Sequence, residues 1–271
     1  MKKIIKLSIA TALLVATNSC ASSNNEDLGM ITVSSATKSE QSIKNVTSNV
    51  EVISNVELEE KHIKTVGEAL NSVSGISVTS NGGLGQQDSL YIRGVDSKRI
   101  LILIDGIRYN EPTGLSGAPL AQLMIDDVEK IEVVKGAQSG IWGADASGGV
   151  VNIITKKPKE GLHGSILAET GSFNTKKYVG NLSAKRDKLF LNINASKITT
   201  DGFSAYEPKK SDANYGKRGK ELGLEKDGYE NITYTLKSGV NISDNDSFEV
   251  VYKNIDSEYE YDSSGSDNLT N

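Results

Sequence analysis

The chain has 271 residues, a net charge of -5 and 37% hydrophobic residues, long enough for one large domain or two modest ones. A mildly acidic balance spread along the sequence gives no electrostatic support for binding nucleic acid. One cysteine excludes a disulfide framework or a cysteine zinc site, and His62 and His163 alone make no histidine metal cluster.

The first segment reads as an export signal over residues 1–21. Lys2, Lys3 and Lys6 form a positive start, Leu7 to Ala16 a short apolar core, and Ser19-Cys20-Ala21 a small-residue cleavage site. That core falls short of the roughly 20 apolar residues that span a bilayer. Cys20 as a lipid-anchored N-terminus is a rival reading, although Thr17-Asn18-Ser19 lacks the usual aliphatic residue. No later stretch suits a membrane helix, so a membrane destination after export implies a barrel.

Residues 22–45 are polar and Ser/Thr-rich and read as a flexible arm. Within it lies a short apolar island, Met30-Ile31-Thr32-Val33. Such an island suits either pairing with a partner's sheet edge or an ordinary first strand, and spacing does not choose between them.

Residues 46–157 read as a compact α+β domain. Val50 to Ile53 is a strand. Ser54 with Glu57, and Thr65 with Glu68, are capping boxes, the second opening a helix that Gly75 ends. Ile76 to Thr79 leads into a glycine-rich loop, Asn81 to Asp88. Leu90 to Gly94 and Ile100 to Gly106 are strands, the latter a continuous apolar run expected at a sheet centre. Asn110 to Ala118 is a second polar loop. Val128 to Val134 alternates Ile131 and Val133 against Glu132 and Val134, and Gly149 to Thr155 closes the domain. Asp105-Gly106 reads as a structural turn.

Beyond Pro158 the texture changes to period-2 alternation over segments of about 10 residues, as in membrane barrels, although a soluble sandwich alternates in the same way. Strand one covers about Leu162 to Thr170. A tight turn at Lys185 to Lys188 joins strands two and three, a long polar stretch from Thr200 to Gly228 joins three and four, and a short turn at Asn241 to Asp246 joins four and five. With the preceding domain on the periplasmic side, the long loop falls outside and both short turns inside, as barrels require.

Four stretches carry a family likeness: Ser89-Leu90-Tyr91-Ile92-Arg93-Gly94, Ile100 to Gly106, Val128 to Gly136 and Gly148 to Lys156. In order and spacing the sequence resembles the TonB-dependent outer-membrane receptors, most of all their vitamin B12 transporter and catecholate-siderophore branch. The resemblance implies an α+β plug domain followed by antiparallel transmembrane β-barrel strands. Residues 160–271 provide roughly five strands of a barrel that has about 22 in this family, so an incomplete barrel is expected. It further implies that Met30, Ile31, Thr32, Val33 and Ser34 are the TonB box gripped by periplasmic TonB. Nutrient-binding tips map to Gly85, Gln86 and Gln87 and to Asn110, Thr113 and Leu115. Arg93 and Lys135 map to plug cations that pair with barrel carboxylates, where Lys135 stands in place of an arginine and loses its bidentate geometry. Asp201, Glu225 and Asp227 map to a loop that binds calcium in the B12 branch.

The implied function is uptake of a scarce nutrient, a corrinoid or ferric siderophore, with TonB and outer-membrane lipid as partners and no cofactor beyond calcium. The alternative is a periplasmic ligand- or TonB-binding module from a truncated gene. Gly82, Gly83 and Gly85 are followed by a strand rather than the helix a dinucleotide site needs. No nucleophile or acid–base constellation suggests an enzyme.

Overall fold

The computed structural model describes residues 31–112, 117–204, 226–243, 246–263 and 266–270, with side chains to residue 260. A compact unit begins at Thr32. The arm drawn to residue 45 from composition is therefore shorter, because Thr32 onward folds with the plug. Two short strands, β1 (Thr32–Val33) and β2 (Gln41–Ser42), pair antiparallel at this edge.

Next come β3 (Asn49–Ser54), α1 (Asn55–Glu60) and α2 (Val66–Asn71). Both capping boxes form: Ser54 Oγ accepts from Glu57 N, and Thr65 Oγ1 from Glu68 N. The second helix stops at Asn71, and Gly75, at φ +76°, makes the turn into β4 (Ile76–Ser80). With β5 (Asp88–Ile92) and β6 (Val95–Asp96), β4 builds a three-stranded sheet. The second plug sheet contains β7 (Ile100–Ile104), β8 (Ile107–Arg108), β9 (Val128–Lys135) and, after the short α3 (Ser139–Trp142), β10 (Gly149–Thr155). Its order is β3-β9-β10-β7-β8, in which only β10 and β7 run parallel.

Alternation along β7 and β9 splits their side chains between two cores. Ile100, Ile102, Ile131 and Val133 join Leu58, Val66, Leu70, Leu90 and Val151 in the larger one. Leu101, Leu103 and Val134 face a smaller one with Ala36, Ala146 and Val150. Both strands are thus covered on both faces. For β9 this differs from a half-exposed alternation, because the Ser35–Ala36 segment and Trp142 lie over its second face.

The wall is a six-stranded antiparallel sheet in sequence order: β11 (Gly161–Thr170), β12 (Lys176–Arg186), β13 (Leu189–Thr200), β14 (Tyr229–Asn241), β15 (Ser247–Ser263) and β16 (Ser266–Thr270). Asp187, at φ +54°, turns β12 into β13. The polarity of the wall is inverted relative to a soluble sheet. Asn192, Asn194, Ser196, Asn231, Thr233, Thr235 and Lys237 are buried, while Leu189, Leu191, Ile193, Tyr234, Leu236, Phe248, Val250 and Tyr252 are exposed. An apolar outer face with a polar inner face is the arrangement of a lipid-embedded barrel and removes the soluble-sandwich alternative.

Candidate functional site

The plug meets the wall along a polar seam. Asp105 follows β7 in a left-handed turn at φ +49°. Its Oδ1 accepts from Thr155 N at 2.9 Å and its Oδ2 from Thr155 Oγ1 at 2.6 Å. Lys237 of β14, one of the most deeply buried side chains, places Nζ 3.2 Å from Asp105 Oδ2, 3.1 Å from Thr155 Oγ1 and 3.1 Å from Glu249 Oε1 on β15. Just before β9, Asp126 pairs with Lys177 of β12 and Asp127 with Lys253 of β15, each at 2.6 Å. Thr235 Oγ1 also donates to Asp127 at 2.7 Å. Burial pushes the Asp126 carboxyl above its ordinary range, with Lys177 pulling the other way. Desolvation offsets most of the Coulomb gain in such buried pairs. Their main effect is therefore to fix where the plug sits against the wall.

Among the described residues the seam holds ion pairs of another kind than those implied. Plug cations on wall carboxylates were implied at Arg93 and Lys135, whereas the pairs formed place wall lysines on plug aspartates. Lys135 turns back into its own domain, where Nζ binds Glu51 and donates to Ser74 O. Arg93 is exposed on the β5–β6 turn at φ +51° and makes no ion pair among the described residues. Asp105, Asp126 and Asp127 were missed as contacts. One carboxylate in a turn and two before a strand look like ordinary solvated charge until Lys177, Lys237 and Lys253 are seen to fall on inward positions of their strands.

At the glycine-rich tip the plug touches the wall again. Gly85 has φ +82°, and a Cβ there would overlap the Tyr229 ring. Gln122 bridges the two parts: Nε2 donates to Gly85 O at 3.1 Å, Oε1 accepts from Tyr229 OH at 2.9 Å, and its carbonyl accepts from Asn231 Nδ2 at 3.2 Å. Gln86 is buried, its Nε2 donating to Glu260 O at 2.6 Å. Gly85 and Gln86 thus seat the plug, whereas Gln87 is exposed. Asn110 clamps the β7 edge, accepting from Ile102 N and donating to Ile100 O. Thr113 and Leu115 lie outside the described residues. Of the residues expected to bind nutrient, Gln87 is the described one with an open side chain.

Of the calcium candidates, Asp201 and Asp227 lie on segments that touch, since a Cβ on Gly202 would overlap Asp227 O. Asp201 accepts from Asn174 Nδ2 and pairs with Lys226 Nζ, both at 3.2 Å, which hold its carboxyl below the usual range. Asp227 is buried, and Glu225 lies outside the described residues. No cluster of three or more His, Cys, Asp or Glu suited to a metal occurs among the described residues.

Of the segment Met30–Ser34, expected to be the coupling peptide, Met30 lies outside the described residues, and Ile31 is half exposed. Thr32 and Val33 are strand β1, and Ser34 N donates to Glu132 Oε2 at 3.0 Å. The second half of the peptide is therefore folded against the plug.

Comparison with known proteins places this arrangement. Residues 42–150 match the TonB-dependent Receptor Plug Domain family. The chain is 34% identical over 168 residues to the vitamin B12 transporter BtuB of Vibrio cholerae, a stretch that makes up 62% of the chain and 27% of that relative. It is 29% identical over 265 residues to BtuB of Photobacterium profundum, covering 97% of the chain and 41% of the relative. Among solved structures, the ferripyoverdine receptor of the outer membrane of Pseudomonas aeruginosa superposes with a TM-score of 0.68 at 17% identity, over 87% of this chain and 29% of that one. The ferric enterobactin receptor of the same organism gives 0.57 at 22% identity, over 79% and 33%. The chain thus spans well under half the length of these relatives.

Proposed function

Since the chain is a TonB-dependent outer-membrane receptor in its plug and first barrel strands, we propose that it serves the active uptake of a corrinoid or ferric siderophore, energised by TonB through Met30–Ser34. The observation that carries the reading is the reversed polarity of the wall together with the plug pinned inside it. An apolar exterior suits lipid, and a polar interior packed on a separate globule suits a plugged pore. In this reading the energy for transport comes from a partner. A short arm that can add a strand to a partner's sheet edge suits that partner, because ladder hydrogen bonds give affinity with little demand on side chains.

The vitamin B12 transporters among the relatives favour a corrinoid, and the plug tip at Gln87 is the described position open to it. Uptake of radiolabelled cyanocobalamin and of ferric enterobactin, measured in cells with and without TonB, tests the proposal. TonB-dependent accumulation of one of the two is expected. Accumulation of neither, or equal accumulation without TonB, contradicts it.

A further inference from the structure

The second face of β9 carries a carboxylate that the seam does not use. Glu132 is fully buried. Its Oε2 accepts from Ser34 N and Ser35 N, both at 3.0 Å, and from Ser35 Oγ. Lys130 Nζ stands 2.9 Å from Oε1 and donates to Thr32 O at 2.6 Å. From α3, Trp142 Nε1 donates to Ser35 O at 2.6 Å, and Lys38 lies 4.7 Å over the Trp142 ring. Ala36 is sealed in the smaller core. Three donors on one buried carboxylate oxygen make a strong, charge-assisted grip, and what it grips is the backbone directly after Val33.

The other end of the same strand is pinned elsewhere. Asp126 and Asp127 precede Val128, the first residue of β9, and hold Lys177 and Lys253 of the wall. Glu132 lies four residues along, about 13 Å at the rise of a strand. β9 is bonded to β3 on one side and β10 on the other, so it is a stiff link between arm and wall. By contrast, Lys237 keeps Glu249 as a partner within the wall when Asp105 moves away.

Resting on the reading of Met30–Ser34 as the coupling peptide, we propose that Glu132 is the positioning residue through which tension on the arm enters the plug, and that β9 delivers it to the Asp126–Lys177 and Asp127–Lys253 pins. A pull on the arm then loads the two pins that have no second wall partner among the ion pairs of the described residues, and leaves the Lys237 contact for later.

Amide exchange on the membrane-inserted chain reads the latch without TonB. Glu132→Gln keeps the size and removes the charge. Exchange at Ser34 and Ser35 is expected to rise about 10- to 100-fold, while Val133 and Val151 exchange as before. Ser35→Ala, which leaves β9 untouched, is expected to raise exchange at the same amides roughly 5-fold. Unchanged exchange at Ser34 and Ser35 in both variants overturns the latch. Single-molecule pulling from a handle on the arm reads the path: the first rupture force is expected to fall in Glu132→Gln and also in Lys253→Met. A first rupture unaffected by Lys253→Met overturns delivery to the wall. Should the latch respond as expected while TonB's C-terminal domain binds an Ile31→Pro variant as tightly as the parent, the coupling peptide is misplaced and the latch stands.

Discussion

Lys237→Met cuts the central contact of the plug with the wall while keeping most of the lysine stem. Nζ lies 3.2 Å from Asp105 Oδ2 and 3.1 Å from Glu249 Oε1. At an effective dielectric near 20, each such pair is worth about 5 kcal/mol of Coulomb energy. Burying the ammonium takes back several kcal/mol of that, so the net worth of the intact cluster is small. Removing the cation alone is different: two carboxylates are left facing each other across the seam, a loss of about 3–5 kcal/mol. Asp105 keeps both hydrogen bonds from Thr155, which places the expectation at the lower end, about 3 kcal/mol. Adding Asp105→Asn removes one of the stranded charges and should recover part of the loss, giving a coupling energy of about 2 kcal/mol in a double-mutant cycle. The assay is urea-induced release of the plug in detergent, followed by Trp142 fluorescence. A coupling energy below about 0.5 kcal/mol would refute the assignment of Lys237–Asp105 as a seam contact.

Ile31→Pro removes a ladder donor from the arm; TonB-driven uptake is expected to disappear while ligand binding at the cell surface is kept, as equilibrium binding at low temperature would show. Gly85→Ala asks an L-residue to hold φ +82° against the Tyr229 ring; the cost is about 2–4 kcal/mol from backbone strain and overlap, read as earlier melting of the plug, with Gly83→Ala as a milder control. Glu132 supplies a pH dependence. Burial raises its pKa, but hydrogen bonds from Ser35, Lys130 and Ser34 outweigh burial and leave it below the ordinary 4.5. Its contribution is thus fully present above the unfolded value and is lost as pH falls through the lower folded value. A spin label at Ser39→Cys should stay ordered from neutral pH down through the ordinary carboxylate range and become mobile only below it; mobility rising above that range would contradict the latch.

Much of the plug could be read from residue patterns, because its signals are local. The capping boxes at Ser54 and Thr65 and the apolar run at Ile100 each carry their own structure, and each forms where its pattern puts it. Wall strands were readable for the same reason: period-2 alternation sets the faces, and the parity of short turns and the long loop sets their direction. Contacts between the two parts were not readable, since they depend on where a strand's inward lysine meets a plug loop more than 50 residues away. Lys135, four positions from Ile131 in a strand that looked half exposed, could be taken for a seam residue. Its side chain shares the face of Ile131 and Val133, and only the packing of the larger core over that face shows it to be internal to the plug. Gln122 had no signal at all, because a glutamine in a short irregular turn has no periodicity to mark it. Nor could the island at Thr32–Val33 reveal that it is folded down, as its partner is a two-residue strand within a Ser/Thr-rich stretch.

At the centre stand strands β12–β15, which face lipid on one side and the plug on the other. Single cysteines placed in turn at Leu189, Leu191, Asn192, Ile193 and Asn194 of β13, each labelled with a fluorophore in vesicles containing a lipid-borne quencher, test this orientation most directly. Strong quenching at Leu189, Leu191 and Ile193 with little at Asn192 and Asn194 is the expected result. Uniform quenching along the strand, or quenching by a water-soluble agent at Leu191 and Ile193, would contradict it.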